Sequence, residues 1–300
     1  MPESRRRSSL EAHAHAVANA VDTAWHGVHG HGRIEVPLSV VAGLALLGPP
    51  PGRREHVAHH ITHLSENGLA AFMRHLWAEF LCARPDLANP VWPLVRCWLG
   101  DHPVTDSALT GAHATARAAL NRGQLDLTGD RKTRWEVDLL GVVLTVLTHG
   151  TAKQARGLYY TPAPVAYAMA ALLGLTEGER VAEPAAGTGG MLRAAAQVMR
   201  DHGRDPASAT WIANDVDPVA VACLAVNAEL WELGPRVLIG VGDTLTDDWM
   251  QGACAQRTET LGVAADVRRL AELRNALAQL RRLTDAAAPE ARNRDREEPT

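Results

Sequence analysis

A strand followed by a glycine-rich turn and a helix start is the feature that most constrains this chain. Residues 180–192 read R-V-A-E-P-A-A-G-T-G-G-M-L, with a short apolar strand that ends at Glu183 and a helix that follows. This order predicts a β-turn-α unit of an α/β fold. We expect Gly187, Gly189 and Gly190 to take positive φ angles and, without Cβ atoms, to let the backbone lie close to a ligand. A tight connection without a ligand has the same local pattern, so the turn alone leaves both interpretations open.

Two more strands with acidic ends follow this turn. Residues 212–213 fit a second strand that ends at Asp215, and residues 237–241 fit a third strand that ends just before Asp243. Asp217 precedes a proline and is predicted to cap the helix that follows. We expect a short parallel sheet of order 3-2-1, with the glycine-rich turn and both strand ends at one edge.

Sequence blocks on both sides of the turn extend the pattern. Upstream stands G-L-Y-Y-T-P-A-P-V-A-Y-A-M (157–169), and downstream stand W-I-A-N-D-V-D-P (211–218) and V-L-I-G-V-G-D-T-L (237–245). With E-P-A-A-G-T-G-G between them, these blocks resemble the DNA methyltransferases that modify adenine N6, particularly the modification subunits of type I restriction systems. The resemblance covers residues 138–249, and D-L-L-G at 138–141 resembles the entry into the family's catalytic domain.

The resemblance implies a site for S-adenosyl-L-methionine. The Thr161 hydroxyl would bond the carboxylate of the methionine end, Glu183 would face its amino group, Asp215 would bind the ribose hydroxyls, and Asp243 would accept from the adenine amino group. The Thr161-Pro162 pair is also the pattern of a helix N-cap followed by a first-turn proline. The implied cofactor-binding residues are Tyr160, Thr161, Pro162, Glu183, Ala185, Gly187, Thr188, Gly189, Asp215 and Asp243.

The catalytic signature of the family is missing. The family holds the flipped adenine with [N/D]-P-P-[Y/F] after its fourth strand, but no such tetrapeptide follows Asp243. The remaining residues are too few for the other half of such a fold. They form an apolar pattern at helical spacing instead: Val267, Leu270, Leu273, Leu277, Leu280 and Leu283.

The predicted fold class is α/β, with a mainly α-helical N-terminal domain and a truncated Rossmann-like methyltransferase domain. The predicted boundaries are 1–130 for the helical domain, 131–260 for the S-adenosylmethionine-binding domain, 261–285 for an amphipathic helix and 286–300 for a disordered tail. Within the helical domain, residues 124–128 are predicted to form one short strand. The first strand of the sheet lacks a neighbour, so either the terminal helix covers it, or a homo- or hetero-oligomer completes it, or the chain is a remnant.

Composition and residue spacing bear on whether the chain binds DNA, a membrane or a metal. The net charge of -4 does not favour DNA binding by bulk electrostatics, so DNA contact would be local or supplied by a specificity subunit or another partner. Four cysteines without C-x-x-C spacing favour a reducing cytoplasm. We expect no signal peptide and no membrane span. Four histidines, His56, His59, His60 and His63, share a helical face, but without acidic or thiol partners we expect a solvated face and no metal.

We therefore expect an S-adenosylmethionine-dependent adenine-N6 DNA methyltransferase homologue of restriction-modification type. Because the acceptor tetrapeptide is missing, its independent turnover is expected to be impaired. The alternative is a non-catalytic S-adenosylmethionine-binding regulatory or assembly protein. A methyl acceptor other than DNA is disfavoured, because Y-T-P before E-P-A-A-G-T-G-G resembles the DNA enzymes.

Overall fold

The computed structural model of the chain describes residues 3–29, 32–101, 104–148, 161–245 and 248–294. Most of these residues are helical, and three short strands form one sheet. The helices are α1 (Glu3–His29), α2 (Glu35–Ala45), α3 (Arg54–Thr62), α4 (Glu66–Ala83), α5 (Ala88–Leu99), α6 (Asp106–Asn121), α7 (Gln124–Thr128), α8 (Arg131–Glu136), α9 (Leu139–Leu147), α10 (Ala163–Leu173), α11 (Gly190–Asp201), α12 (Pro218–Leu230) and α13 (Trp249–Arg294).

The sheet has the predicted composition and order. Its parallel strands are β1 (Arg180–Glu183), β2 (Thr210–Asp215) and β3 (Val237–Val241), and β2 lies in the middle. Ala213 lies opposite both Glu183 of β1 and Ile239 of β3. Because β2 pairs on both sides and α12 packs against it, its residues 211–214 are buried. The α/β fold with a small parallel sheet and a C-terminal helix is confirmed.

The hydrophobic core is continuous across residue 130. Helix α9 packs on α1 and α2, and α12 packs on α5. Tryptophans on both sides of the predicted domain boundary are fully buried in the same core, among them Trp25, Trp77, Trp211 and Trp231. The helical part and the sheet therefore share packing, and the division at 130 stays a prediction.

The stretch 124–128 is helix α7, so the predicted strand there is wrong. Gly123 has a φ of 76° and reverses the chain directly after α6, which allows a new helix to begin. The side chain of Gln124 is buried, and its Nε2 donates to the carbonyl of Val41 at 2.8 Å. These tertiary contacts outweigh the local sequence preference from which a strand was predicted.

Helix α13 is longer than the helix predicted at 261–285. Its first turns pack on β3, where Ala253 is buried. From Ala265 to Leu283 every side chain is exposed. The helix ends at Arg294, within the range 286–300 predicted to be disordered, and residues 295–300 lie outside the described part of the chain.

Candidate functional site

The glycine-rich turn is tied to the end of β2 by two backbone donors. The N–H of Ala186 donates to the carbonyl of Asn214 at 2.8 Å, and the N–H of Gly187 donates to Oδ2 of Asp215 at 2.7 Å. Gly187 has a φ of 53°, which favours glycine. Two hydrogen bonds and a left-handed residue thus fix the turn against the neighbouring strand.

The glycines of the turn have different roles. Gly189 has a φ of 97°, and a Cβ added to it would lie 2.5 Å from Cδ1 of Leu224 and 2.9 Å from Cζ3 of Trp231. Its missing side chain therefore lets the turn approach α12 and its C-terminal end, not a ligand. Gly190 is the first residue of α11, lacks a positive φ and has open space where a Cβ would be. The prediction of positive φ angles is right for Gly187 and Gly189 and wrong for Gly190, because Gly190 already has helical geometry.

Asp215 and Asp217 accept hydrogen bonds from different segments at the end of β2. Oδ2 of Asp215 accepts from Gly187, and its Oδ1 accepts from the N–H of Asp217 at 2.9 Å. Oδ1 of Asp217 accepts from the N–H groups of Val219 at 2.8 Å and Ala220 at 3.4 Å. The predicted capping of α12 by Asp217 is confirmed. Each oxygen of Asp215 keeps room for one more donor, since a carboxylate has about four acceptor sites.

Hydrogen bonds of the Asn214 side chain connect the segments that follow β1 and β3. The buried side chain of Asn214 donates through Nδ2 to the carbonyl of Gly242 at 2.7 Å and to Oγ1 of Thr244 at 2.8 Å. The Thr244 hydroxyl in turn donates to the carbonyl of Pro184 at 2.6 Å. Sequence reasoning missed this role of Asn214, although a polar residue inside an otherwise apolar strand is a signal for it.

The acidic residues of the predicted site lie at this edge of the sheet. Glu183 is half-buried, and its Oε1 accepts from the N–H of Ala185 at 3.2 Å. Asp243 is exposed, and its Oδ1 accepts from the N–H of Leu245 at 2.9 Å. The tip of each strand thus carries one carboxylate, with that of Asp215 in the middle.

Thr161 and Pro162 lie beside a different opening. They are exposed and line a cavity of about 550 Å³, together with Gly190 of the turn and residues of α1, α9, α10 and α11. Glu183, Asp215 and Asp243 do not line this cavity. Helix α10 begins after Pro162 without a side-chain cap, so Thr161 is not the capping residue. Tyr160 lies outside the described residues.

Asp138, to which sequence reasoning assigned no role, contacts the glycine-rich turn through its carboxylate. Asp138 accepts through Oδ2 from the hydroxyl of Thr188 at 2.6 Å, and through Oδ1 from the N–H of Gly141 and from Nδ2 of Asn227, both at 2.9 Å. The side chain of Thr188, predicted at the cofactor, is therefore buried and engaged with Asp138. The signal available in the sequence was the D-L-L-G block, which contains both Asp138 and Gly141.

Within the ranges given above, no group of three or more His, Cys, Asp or Glu residues could hold a metal ion. Among the helices of the same ranges, none combines the length and apolar character needed to cross a bilayer.

One solved structure that is similar to this chain is that of the type I restriction-modification system methyltransferase subunit from Streptococcus thermophilus. It is similar to this chain with 14% sequence identity and a TM-score of 0.43, and the match covers 81% of this chain. This chain spans 60% of the length of that subunit. A comparison with curated protein sequences gives no match.

The family comparison concerns the part of the chain that contains the turn, the three strands and the first turns of α13. Residues 137–265 match the model of the N-6 DNA Methylase family. The matched segment begins one residue before Asp138 and ends at residue 265, where the uninterrupted run of exposed side chains in α13 begins. The resemblance seen in the four sequence blocks is confirmed, and residues 137–265 are similar to the N-6 DNA methylase family.

Proposed function

We propose that this chain is an S-adenosylmethionine-binding homologue of adenine-N6 DNA methyltransferases whose turnover without a partner is impaired. The observation that carries the proposal is the row of three carboxylates, Glu183, Asp215 and Asp243, at successive strand tips beside a glycine-rich turn. The family match over residues 137–265 supports the same class of reaction.

The residues present fit S-adenosylmethionine. Its sulfonium and ammonium groups are cationic, which suits a site with several carboxylates. The turn offers backbone and small residues where the cofactor would approach, since Ala185 is exposed and Gly187 has no side chain. When bound, S-adenosylmethionine would supply an activated methyl group. In this proposal Asp215 holds the ribose hydroxyls, Asp243 accepts from the adenine amino group, and Glu183 faces the methionine amino group.

The proposed role of Thr161 rests on the neighbouring cavity. The cavity of about 550 Å³ that Thr161 lines is within the usual size range of small-molecule sites. Gly190, the first residue of α11 and the neighbour of Gly189 in the turn, lines the same cavity. Thr161 would thus approach the cofactor from this cavity, and its hydroxyl would donate to the methionine carboxylate.

Donor binding is the first test. Calorimetric titration of the purified chain with S-adenosylmethionine should give saturable binding, and Asp215→Asn should weaken it by about 10-fold or more, as expected for loss of hydrogen bonds to a charged acceptor. Asp205→Asn is a matched control, because Asp205 accepts a backbone N–H before the opposite end of β2. Absence of binding, or equal weakening by both variants, would contradict the proposed site.

DNA methylation separates the proposal from its rival. The rival is a non-catalytic S-adenosylmethionine-binding regulatory or assembly protein, and it is favoured by the absence of [N/D]-P-P-[Y/F] after Asp243. With S-adenosylmethionine labelled in its methyl group, we expect slow incorporation at adenine N6 of DNA that is lost in Asp215→Asn. Saturable donor binding with no label above the protein-free background would favour the rival.

DNA and a partner subunit are part of the proposal. The net charge of -4 gives the chain no general attraction to phosphates, so a partner would supply much of the DNA contact. The free edge of β1 or the exposed face of α13 would bind that partner.

A further inference from the structure

Asp138, which is partly buried, joins three elements through hydrogen bonds. It is the N-cap of α9, where it accepts from the N–H of Gly141. It also accepts from the hydroxyl of Thr188 in the glycine-rich turn and from the amide of Asn227 in α12. Thr188 and Asn227 are each 1% exposed, so solvent does not replace these hydrogen bonds easily.

The same network holds the backbone of the turn. Nδ2 of Asn227 donates to the carbonyl of Thr188 at 2.9 Å, as well as to Asp138. Thr188 is therefore fixed through its hydroxyl and through its carbonyl. The adjacent residues are Gly187, which donates to Asp215, and Gly189, which packs on Leu224 of α12. A change at Asp138 would act on the turn directly between these two contacts.

Gly141 leaves the space that the network needs. A Cβ at this position would lie 2.3 Å from Oδ2 of Asp138 and 2.6 Å from Oγ1 of Thr188. The hydrogen bond between Asp138 and Thr188 thus passes directly over the first turn of α9. Because α9 also packs on α1 and α2, this contact connects the glycine-rich turn to the helical part of the chain.

We propose that Asp138 is a positioning residue for S-adenosylmethionine, which acts through Thr188 to set the conformation of the glycine-rich turn. This inference rests on the proposed function, because it assumes that the turn lies under the cofactor. Asp138 also lines the cavity beside Thr161, but both of its carboxylate oxygens already accept hydrogen bonds from protein donors. Its carboxylate holds the turn in the binding conformation before the cofactor arrives, so less ordering is required on binding.

The test is a double-mutant cycle on donor affinity. Asp138→Ala and Thr188→Val should each weaken S-adenosylmethionine binding by about 10-fold, the size of a lost hydrogen bond to a charged group. The double variant should bind no more weakly than Asp138→Ala alone, because both changes remove the same interaction. Thr188→Ser, which keeps the hydroxyl, should restore affinity to within about 3-fold of the unaltered chain.

Asp130→Ala separates positioning from a general loss of stability. Asp130 caps α8 and accepts from the N–H of Thr133, which is the same kind of contact that Asp138 makes at α9. Asp130→Ala should lower the melting temperature without changing donor affinity. Thermal melting of each variant shows whether it is folded, and the Thr188→Val and Thr188→Ser pair remains informative if Asp138→Ala does not fold.

The outcomes are distinct. Failure of the unaltered chain to bind S-adenosylmethionine would contradict the proposed function and this inference with it. If the unaltered chain binds normally, two results would overturn the role of Asp138 and leave the proposed function standing. One is an additive loss of affinity in the double variant, and the other is equal affinity of Thr188→Val and Thr188→Ser.

Discussion

Neighbouring glycines in the turn differ in what surrounds them. Gly189 combines a φ of 97° with contacts to Leu224 and Trp231 that leave no room for a methyl group, whereas Gly190 has helical geometry and open space. In the printed sequence the two residues look equivalent. Only the position of α12 behind the turn makes one of them irreplaceable.

Replacing these glycines by alanine should therefore have opposite results. We expect Gly189→Ala to lower the free energy of unfolding by about 2–4 kcal/mol, because a Cβ would overlap α12 side chains and the backbone would be strained. Gly190→Ala should leave stability unchanged or slightly raised, because alanine favours helix. Urea denaturation followed by tryptophan fluorescence measures both, and equal losses would contradict this description of the turn.

Helix α8 is held to the end of α12 by one acidic residue. Glu232 has a φ of 52°, an unfavourable angle for a residue with a side chain, and it accepts from Nε of Arg131 at 2.9 Å and from Nη2 of Arg134 at 2.6 Å. Trp135 of the same helix packs under the guanidinium of Arg200, which lies 4.0 Å from the ring centroid. Burial lowers the pKa of Arg200 to about 10, so it stays charged at neutral pH.

The pairing of Glu232 should make stability depend on pH. Burial acts to raise the pKa of Glu232, but hydrogen bonds and charge from Arg131 and Arg134 outweigh it and hold that pKa below its ordinary value of 4.5. A carboxylate with a lowered pKa contributes stability above its unfolded pKa and loses that contribution as pH falls through the folded value. The stabilisation should thus be complete at pH 7 and absent in strong acid.

We expect Glu232→Gln to lower the free energy of unfolding at pH 7 by about 1 kcal/mol, a small value because solvent screens this partly exposed cluster. The difference from the unaltered chain should shrink as the pH falls below about 4. Urea denaturation at several pH values measures it. Glu272→Gln, on the exposed part of α13, is the control and should have little effect at any pH. A difference that grows in acid would contradict the assigned pairing.

At the scale of the whole molecule, one core includes helices from both halves of the chain and the sheet. The four cysteines differ in burial. Cys97 of α5 and Cys223 of α12 are buried in this core, whereas Cys82 and Cys254 are exposed. Burial raises the pKa of Cys97 to about 12. Burial, with the nearby charges of Asp138 and Asp217, raises that of Cys223 well above its ordinary value.

Thiol labelling should report this packing. We expect Cys82 and Cys254 to react rapidly with a disulfide reagent at pH 8, and Cys97 and Cys223 to react only on unfolding, because thiolate is the reactive form. The rise in the pKa of Cys97 from 9.0 to about 12 alone lowers its thiolate fraction about a thousandfold. The variant with Cys82→Ser and Cys254→Ser should lose the rapid phase. Rapid labelling of all four cysteines would contradict a shared core.

Local sequence determined the elements that carry the candidate site. Apolar runs with acidic residues at their ends predict where the strands end, at Glu183, Asp215 and Val241. The Asp-Pro pair predicts that Asp217 caps α12. These features depend on neighbours within a few residues, so periodicity and capping rules are sufficient to predict them.

Tertiary structure decided what those rules do not contain. Asp138 reaches Thr188 across 50 positions of sequence, α12 leaves no room beside Gly189, and the buried amide of Gln124 supports a helix where a strand was predicted. Each depends on which distant side chain or carbonyl packs nearby. Local propensities are weak compared with such buried hydrogen bonds and close contacts, so only the folded chain fixes them.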